Sequence, residues 1–306
     1  MILDGLSDED IQFFGSNNFF QFGFKSRFGF ETIREDNLFI ASPNIEYKYN
    51  SMGYRSQEFS PKCNILISGC SHSFGLGVPQ NETWADILSK NINSEYQNIS
   101  VVGGAINTIV QNIFAYIKKF GNPKNIFILF PDLNRIHLPN INNILNNENY
   151  FGFNFAYANE FGSDVASERP KFSKIPHKIS DVFPNESILY INCHSILNLE
   201  MYCKEAGINL IYSIWGKNSI NIIKKIKEKN KQSFLNFIEV DIYKFKRYNS
   251  LEKTNIDDPE CHQEYKDIWG ERYFYAEDHY KNYIGHFNSH MHMHIAESFL
   301  KENNDY

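Results

Sequence analysis

One serine stands where an apolar run ends. In Asn64-Ile-Leu-Ile-Ser-Gly69-Cys70-Ser71-His72-Ser73-Phe74-Gly75, the run Ile65-Leu66-Ile67 stops on small residues, and Ser71 occupies the turn that follows. A continuous apolar run bounded by Asn64 and Gly69 predicts a short buried strand, and Glu82-Thr-Trp-Ala-Asp-Ile-Leu-Ser predicts an amphipathic helix after it. Open α/β sheets bind their ligands at the C-terminal ends of their strands. A serine on such a turn can expose its hydroxyl as a nucleophile and offer its own N–H to an oxyanion. The alternative is a plain turn or helix-cap serine. The pattern Gly-x-Ser-x-Ser is not the Gly-x-Ser-x-Gly nucleophile elbow. Cys70 is a rival nucleophile that the strand phase disfavours.

A nucleophilic serine needs a base within hydrogen-bond reach, most often histidine. The run His286-Phe287-Asn288-Ser289-His290-Met291-His292-Met293-His294-Ile295-Ala296-Glu297 opens a predicted C-terminal helix. Asn288 or Ser289 can cap it, and Ile295, Phe299 and Leu300 form its apolar face. His286 then lies on the loop before the helix, free to point back at the sheet edge. His290 and His294 share a helical face, as paired zinc ligands do, but the Glu of a His-Glu-x-x-His motif is missing and no third ligand is well spaced. No metal or other cofactor is therefore expected.

Together these two ends resemble the SGNH (GDSL-like) hydrolase family. Gly69-Cys70-Ser71-His72-Ser73-Phe74-Gly75 resembles its first block, with Cys70 in place of an aspartate that is not a triad member. Tyr49-Asn50-Ser51-Met52-Gly53-Tyr54-Arg55 resembles the lead-in before that block, Val78 to Trp84 the follow-on, and His286 to Glu297 the last block. The resemblance covers 47–110 and 276–300 and implies Ser71 as nucleophile and His286 as base. It also implies an oxyanion hole of the Ser71 and Gly103 N–H groups and the Asn134 amide, with Asp132 an equally near alternative to Asn134. The aspartate usual three residues before the histidine is replaced by Tyr283. Asp278, with Glu277 as alternative, is the expected acid if five residues were inserted, and without either the site is a Ser-His dyad or a decayed enzyme.

The elements that must position these residues alternate along the chain. Strands are expected at 64–68, 97–102, 125–130, 208–214 and 234–240, and helices near 82–92, 105–119, 187–205, 217–230 and 289–301. This predicts a flavodoxin-like α/β three-layer sandwich whose central, mainly parallel sheet has five strands joined by right-handed crossovers. Ser71, Gly103 and Asn134 then all follow strands at one sheet edge. Residues 1–60 are read as a Phe-rich extension packed on the core, with Phe22, Phe24, Phe28 and Phe30 alternating at strand period. Residues 61–306 form the α/β domain, with insertions at 131–186 and 241–285 expected to wall the cleft.

The 306 residues, 42% hydrophobic, suffice for one large domain, and a net charge of −6 with scattered basic residues leaves no electrostatic footprint for nucleic acid. No window resembles a membrane span or signal peptide, so a cytoplasmic protein without membrane contact is expected, with association in a virion or other particle left open. The five cysteines form no Cys-x-x-Cys pair and are expected as reduced thiols. The expected partner is a small-molecule or glycan ester, and assembly through the Phe-rich segment is an open option. The resemblance implies a serine ester hydrolase, with carbohydrate O-acyl esters favoured over long-chain lipids. A decayed carbohydrate-binding or structural component and an acyltransferase using the same triad are the alternatives.

Overall fold

The structure, a computed structural model, describes residues 48–61, 63–75, 78–101, 104–139, 153–157, 185–240 and 289–303. Its centre is a parallel sheet of β1 (Ile65–Gly69), β2 (Tyr96–Asn98), β3 (Asn125–Phe130) and a strand at Asn209–Ile214, here β6. Between β3 and β6 in the chain, β4 (Arg135–Pro139) and β5 (Phe153–Tyr157) make a separate antiparallel pair, so part of the 131–186 insertion is regular. The order β2-β1-β3-β6 reverses direction of winding at β1, which makes the C-terminal ends of β1 and β3 the natural ligand crevice.

Strands buried on both faces read as near-continuous apolar runs, and β3, Asn-Ile-Phe-Ile-Leu-Phe, is buried throughout and apolar after its first residue. Alternate residues then feed two cores. Leu66, Ile126, Ile128, Phe130, Leu210, Tyr212 and Ile214 pack with α3 (Ile106–Phe120), α4 (Asn185–Ala206) and α5 (Lys217–Lys229). Ile65, Ile67, Phe127, Leu129 and Ile211 face α2 (Trp84–Ile92) and α6 (Ser289–Glu302) through Trp84, Leu88, Met291, Ile295 and Phe299. These are the three layers expected of the α/β sandwich. Trp84 stacks on Phe299 at 5.1 Å and Phe299 meets Phe127 edge-on at 5.8 Å, which joins both helices to the sheet.

Two strand expectations need correction. The expected strand at 97–102 is shorter, although Ile99 and Val101 still donate their N–H groups to the Ile67 and Gly69 carbonyls; the Asn98 side chain draws off the Ser100 N–H. The expected fifth strand at 234–240 is reduced, among the described residues, to one parallel bridge between Tyr212 and Phe237. Phe234 adopts φ 54°, and the Asn236 N–H is drawn away from the sheet to Glu200, so a regular ladder does not form.

Residues 48–60 pack on this core. Asn50 folds them into a turn by accepting the Met52 and Tyr54 N–H groups, and the buried Tyr54 ring tilts against Phe59, which meets Tyr116 of α3 edge-on. No helix among the described residues is long and apolar enough to cross a membrane. The Phe-rich part of the expected extension, including Phe22, Phe24, Phe28 and Phe30, and the expected insertion at 241–285 lie outside the described residues.

Candidate functional site

Ser71 opens α1 (Ser71–Phe74), a single turn at the C-terminal end of β1. Cys70 precedes it in extended conformation, its carbonyl accepting the Ser73 and Phe74 N–H groups, and Gly75 ends the turn at φ 76°. The tightness of the turn dictates the glycine at 69. A Cβ there would stand 2.2 Å from Ser73 Oγ and 2.6 Å from the Leu129 carbonyl oxygen. Ser71 keeps 8% of its surface exposed, and neither its hydroxyl nor its backbone N–H has a hydrogen-bond partner among the described residues. The Cys70 side chain is fully buried in the core cluster that also holds Trp84, where a substrate could not reach its thiol. Burial pushes the Cys193 thiol up to about 11 and the Cys203 thiol up to about 12, so neither is a ready thiolate at neutral pH.

The turn after Ser71 is braced by a residue from the lead-in. Arg55, 1% exposed, donates from Nη1 to the Phe74 carbonyl at 3.1 Å and the Gly75 carbonyl at 2.5 Å, and from Nη2 to the Val78 carbonyl at 2.9 Å. Its guanidinium also lies 5.7 Å over the Phe74 ring. Asn98, at the end of β2, donates Nδ2 to the Ser73 carbonyl at 3.0 Å and accepts the Ser100 N–H on Oδ1, so the exits of β1 and β2 are joined.

Asp132, Asn134 and Arg135 follow β3 at the same edge. Ser219 of α5 accepts the Leu133 N–H at 2.9 Å and donates to Asp132 Oδ1 at 2.9 Å. Asp132 lies so close to the start of α5 that a Cβ on Gly216 would fall 1.5 Å from its Oδ1. Burial pushes the Asp132 carboxyl above the usual carboxylate value, although the Ser219 hydroxyl and the Arg135 charge pull the other way. Asn192 of α4 donates Nδ2 to the Leu133 and Arg135 carbonyls at 2.7 and 3.0 Å. The groups around Asn134 are thus bonded, whereas the half-buried Asn134 amide has no partner among the described residues.

Arg135 also reaches Gly104, donating Nη1 to its carbonyl at 3.2 Å, and its guanidinium lies 5.9 Å over Trp215 at the end of β6. On Trp215 the His72 ring stands edge-on at 5.2 Å. Gly104 turns the chain by donating its N–H to Val101, and a Cβ there would meet the Val101 carbonyl oxygen at 2.9 Å.

The start of α6 is fixed beside the start of α2. The fully buried His292 accepts the Trp84 N–H on Nδ1 at 3.1 Å, so its proton sits on Nε2, and Ser289 Oγ bonds Glu82 Oε2. His292 is therefore a helix-terminus acceptor. His286, Asp278, Glu277, Tyr283 and Gly103 lie outside the described residues, so the structure brings together Ser71 and Asn134 only as members of one sheet edge. Among the described residues no group of three His, Cys, Asp or Glu side chains could hold a metal. Arg135, Asn192, Trp215 and Ser219 escaped the sequence reading. Of these, Asn192 carries a signal, an asparagine among the apolar residues of α4.

No family model matches the chain, and no curated protein matches it. Among solved structures it is similar to a lipolytic protein of the G-D-S-L family from Veillonella parvula, at 12% identity and a TM-score of 0.40, over 79% of this chain and 98% of that one. It is also similar to a carbohydrate esterase family 2 enzyme plus carbohydrate-binding domain from Corynascus thermopiles (Myceliophthora fergusii), at 10% identity and a TM-score of 0.31, over 60% and 57% of the two chains. An acetyl xylan esterase from the rumen bacterium Butyrivibrio proteoclasticus matches at 13% identity and a TM-score of 0.31, over 59% and 55%. The chain thus spans little more than half the length of the last two. At these scores nothing is transferred from them to this chain.

Proposed function

We propose that the chain is a serine ester hydrolase of SGNH type that works through an acyl-enzyme. His286 takes the proton of Ser71, and Ser71 Oγ attacks the ester carbonyl. The Ser71 and Gly103 N–H groups and the Asn134 amide hold the oxyanion, and Asp278 orients His286. Collapse of the tetrahedral intermediate expels the alcohol with a proton from His286, and water, deprotonated by His286, then releases the acid. No cofactor is needed for this sequence of steps.

The observation that carries the reading is local. Around Ser71 the turns after β1, β2 and β3 are tied by Arg55, Asn98, Asn192 and Arg135, while the Ser71 hydroxyl, its N–H and the Asn134 amide are left without protein partners among the described residues. Polar groups at a sheet edge that are held in place yet unspent are what a preorganised oxyanion site requires. The substrate is read as a carbohydrate O-acyl ester, O-acetyl first, from the polar and aromatic insertion Tyr150-Phe-Gly-Phe-Asn-Phe-Ala-Tyr157.

Hydrolysis of p-nitrophenyl acetate, butyrate and octanoate by the wild type and Ser71→Ala tests this. Loss of roughly 10⁴-fold or more in kcat in the variant, with acetate the best substrate, is the expected result. Equal activity in both proteins would remove Ser71 from the chemistry.

A further inference from the structure

We propose that the outer face of α4 is the contact surface of a two-fold dimer of this chain. The helix is apolar on two sides. Ile196, Leu199 and Cys203 are buried in the core against the sheet. At 3.6 residues per turn, Tyr190, Leu197 and Met201 fall within about 40° of one another on the opposite side. A surface helix of a monomer turns polar residues to water there, yet Tyr190 is 65% exposed and Met201 62%. His194 joins the stripe, its ring against that of Tyr190 at 4.1 Å. Leu235, 55% exposed, widens the stripe at its Met201 end, because the next residue, Asn236, donates its N–H to Glu200. Single exposed apolar side chains are ordinary, but these lie along one flank of the molecule.

The order of residues along the stripe selects its occupant. Reversing α4 about a point between Ser195 and Ile196 exchanges Tyr190 with Met201 and His194 with Leu197. A second α4 packed antiparallel therefore sets each tyrosine ring on the methionine of the other copy, a favourable sulfur–aromatic contact made twice. The charges obey the same symmetry. Glu186 and Lys204 are both exposed and share one flank of the stripe, and neither has an ion partner among the described residues. The two-fold axis of an antiparallel pair stands normal to the plane of the helices, so equal flanks meet. Glu186 of each copy then comes beside Lys204 of the other. Glu205 lies on the opposite flank and falls beside Ser187 of the other copy, so no two carboxylates are brought together. A parallel pair would set Glu186 against Glu186. The antiparallel second copy thus matches the stripe in both apolar and charged positions.

A contact one helix wide is small, so a dissociation constant on the order of micromolar is expected. The test is sedimentation velocity from about 1 to about 100 μM on the full chain, with thermal melting to confirm folding. Wild type should shift from one to two chain masses over that range. Tyr190→Glu should raise the dissociation constant at least about 100-fold. Glu186→Lys or Lys204→Glu alone should raise it about 10-fold or more, because each puts two like-charge pairs in place of two attractive ones, and the double reversal should return it to within about threefold of wild type. A wild type that stays monomeric at 100 μM would leave the stripe to a different kind of partner and overturn the proposal. A dimer that Tyr190→Glu does not weaken would use another face and overturn it equally. Single reversals without effect, or a folded double reversal that does not recover, would overturn the antiparallel pairing on which the proposal rests. Should Tyr190→Glu fail to fold, the charge reversals decide. Ester hydrolysis does not enter the readout, so the outcome is independent of the reading of Ser71.

Discussion

Replacing Arg55 by methionine keeps an apolar stem and removes the guanidinium that three main-chain carbonyls share. Phe74, Gly75 and Val78 are buried, so their oxygens lose a charged donor in a place water reaches poorly. A buried acceptor left unmade costs about 1–3 kcal/mol, and partial access of water brings the expected total for three to about 3–6 kcal/mol. That is a large part of the roughly 5–15 kcal/mol that holds a domain together. In urea unfolding, a loss of about 3 kcal/mol at a slope of about 3 kcal/mol/M lowers the midpoint by about 1 M with the slope unchanged. The same carbonyls close the turn that Ser71 opens, so ester hydrolysis measured well below the melting temperature should fall at least about tenfold. Arg55→Lys, with one compact ammonium for carbonyls spread over five sequence positions, should lie between the two proteins. An Arg55→Met protein within about 1 kcal/mol of wild type and of equal activity would refute the view that this residue holds the nucleophile turn.

His292→Leu deprives the Trp84 N–H of its buried acceptor and should cost about 1–3 kcal/mol, whereas His292→Asn, which can present an oxygen near the Nδ1 position, should recover part of it; calorimetric melting of the three proteins checks this. Asp132 gives a pH test. Its folded-state pKa is raised above the unfolded value, so the folded chain keeps that proton to higher pH, and its stabilising contribution, full below the ordinary carboxylate value, is lost as pH rises through the raised one. Asp132→Asn, which can still accept from Ser219, should therefore gain on the wild type in unfolding midpoint as pH rises from about 4 to about 7. A stability difference independent of pH would contradict the burial of that charge.

The sheet was legible because its strands are continuous apolar runs that no amphipathic helix would carry. Ile65-Leu66-Ile67 and Asn125 to Phe130 announce buried parallel strands, and Gly121 with Pro123 marks the end of α3. The segment at 234–240 misled because apolar composition does not reveal that Glu200, on another element, takes the Asn236 N–H. At the sheet edge, the placement of Ser71 after β1 and of Asn134 after β3 is readable from local pattern. The braces are not. Arg55 meets carbonyls about twenty positions away, Arg135 meets the Gly104 carbonyl from the turn after another strand, and Ser219 meets Asp132 eighty-seven positions back. Such pairs share no periodicity, and only the crossover topology brings them together.

The central claim is that Ser71 is the nucleophile. Its most direct test is reaction of the purified wild type with a fluorophosphonate, which bonds phosphorus to an activated serine oxygen with loss of fluoride, followed by peptide mass spectrometry. The account predicts one adduct on the peptide that contains Ser71, formed faster than on a free serine peptide and absent from Ser71→Ala. An adduct at another residue, or no adduct in folded protein, would contradict it.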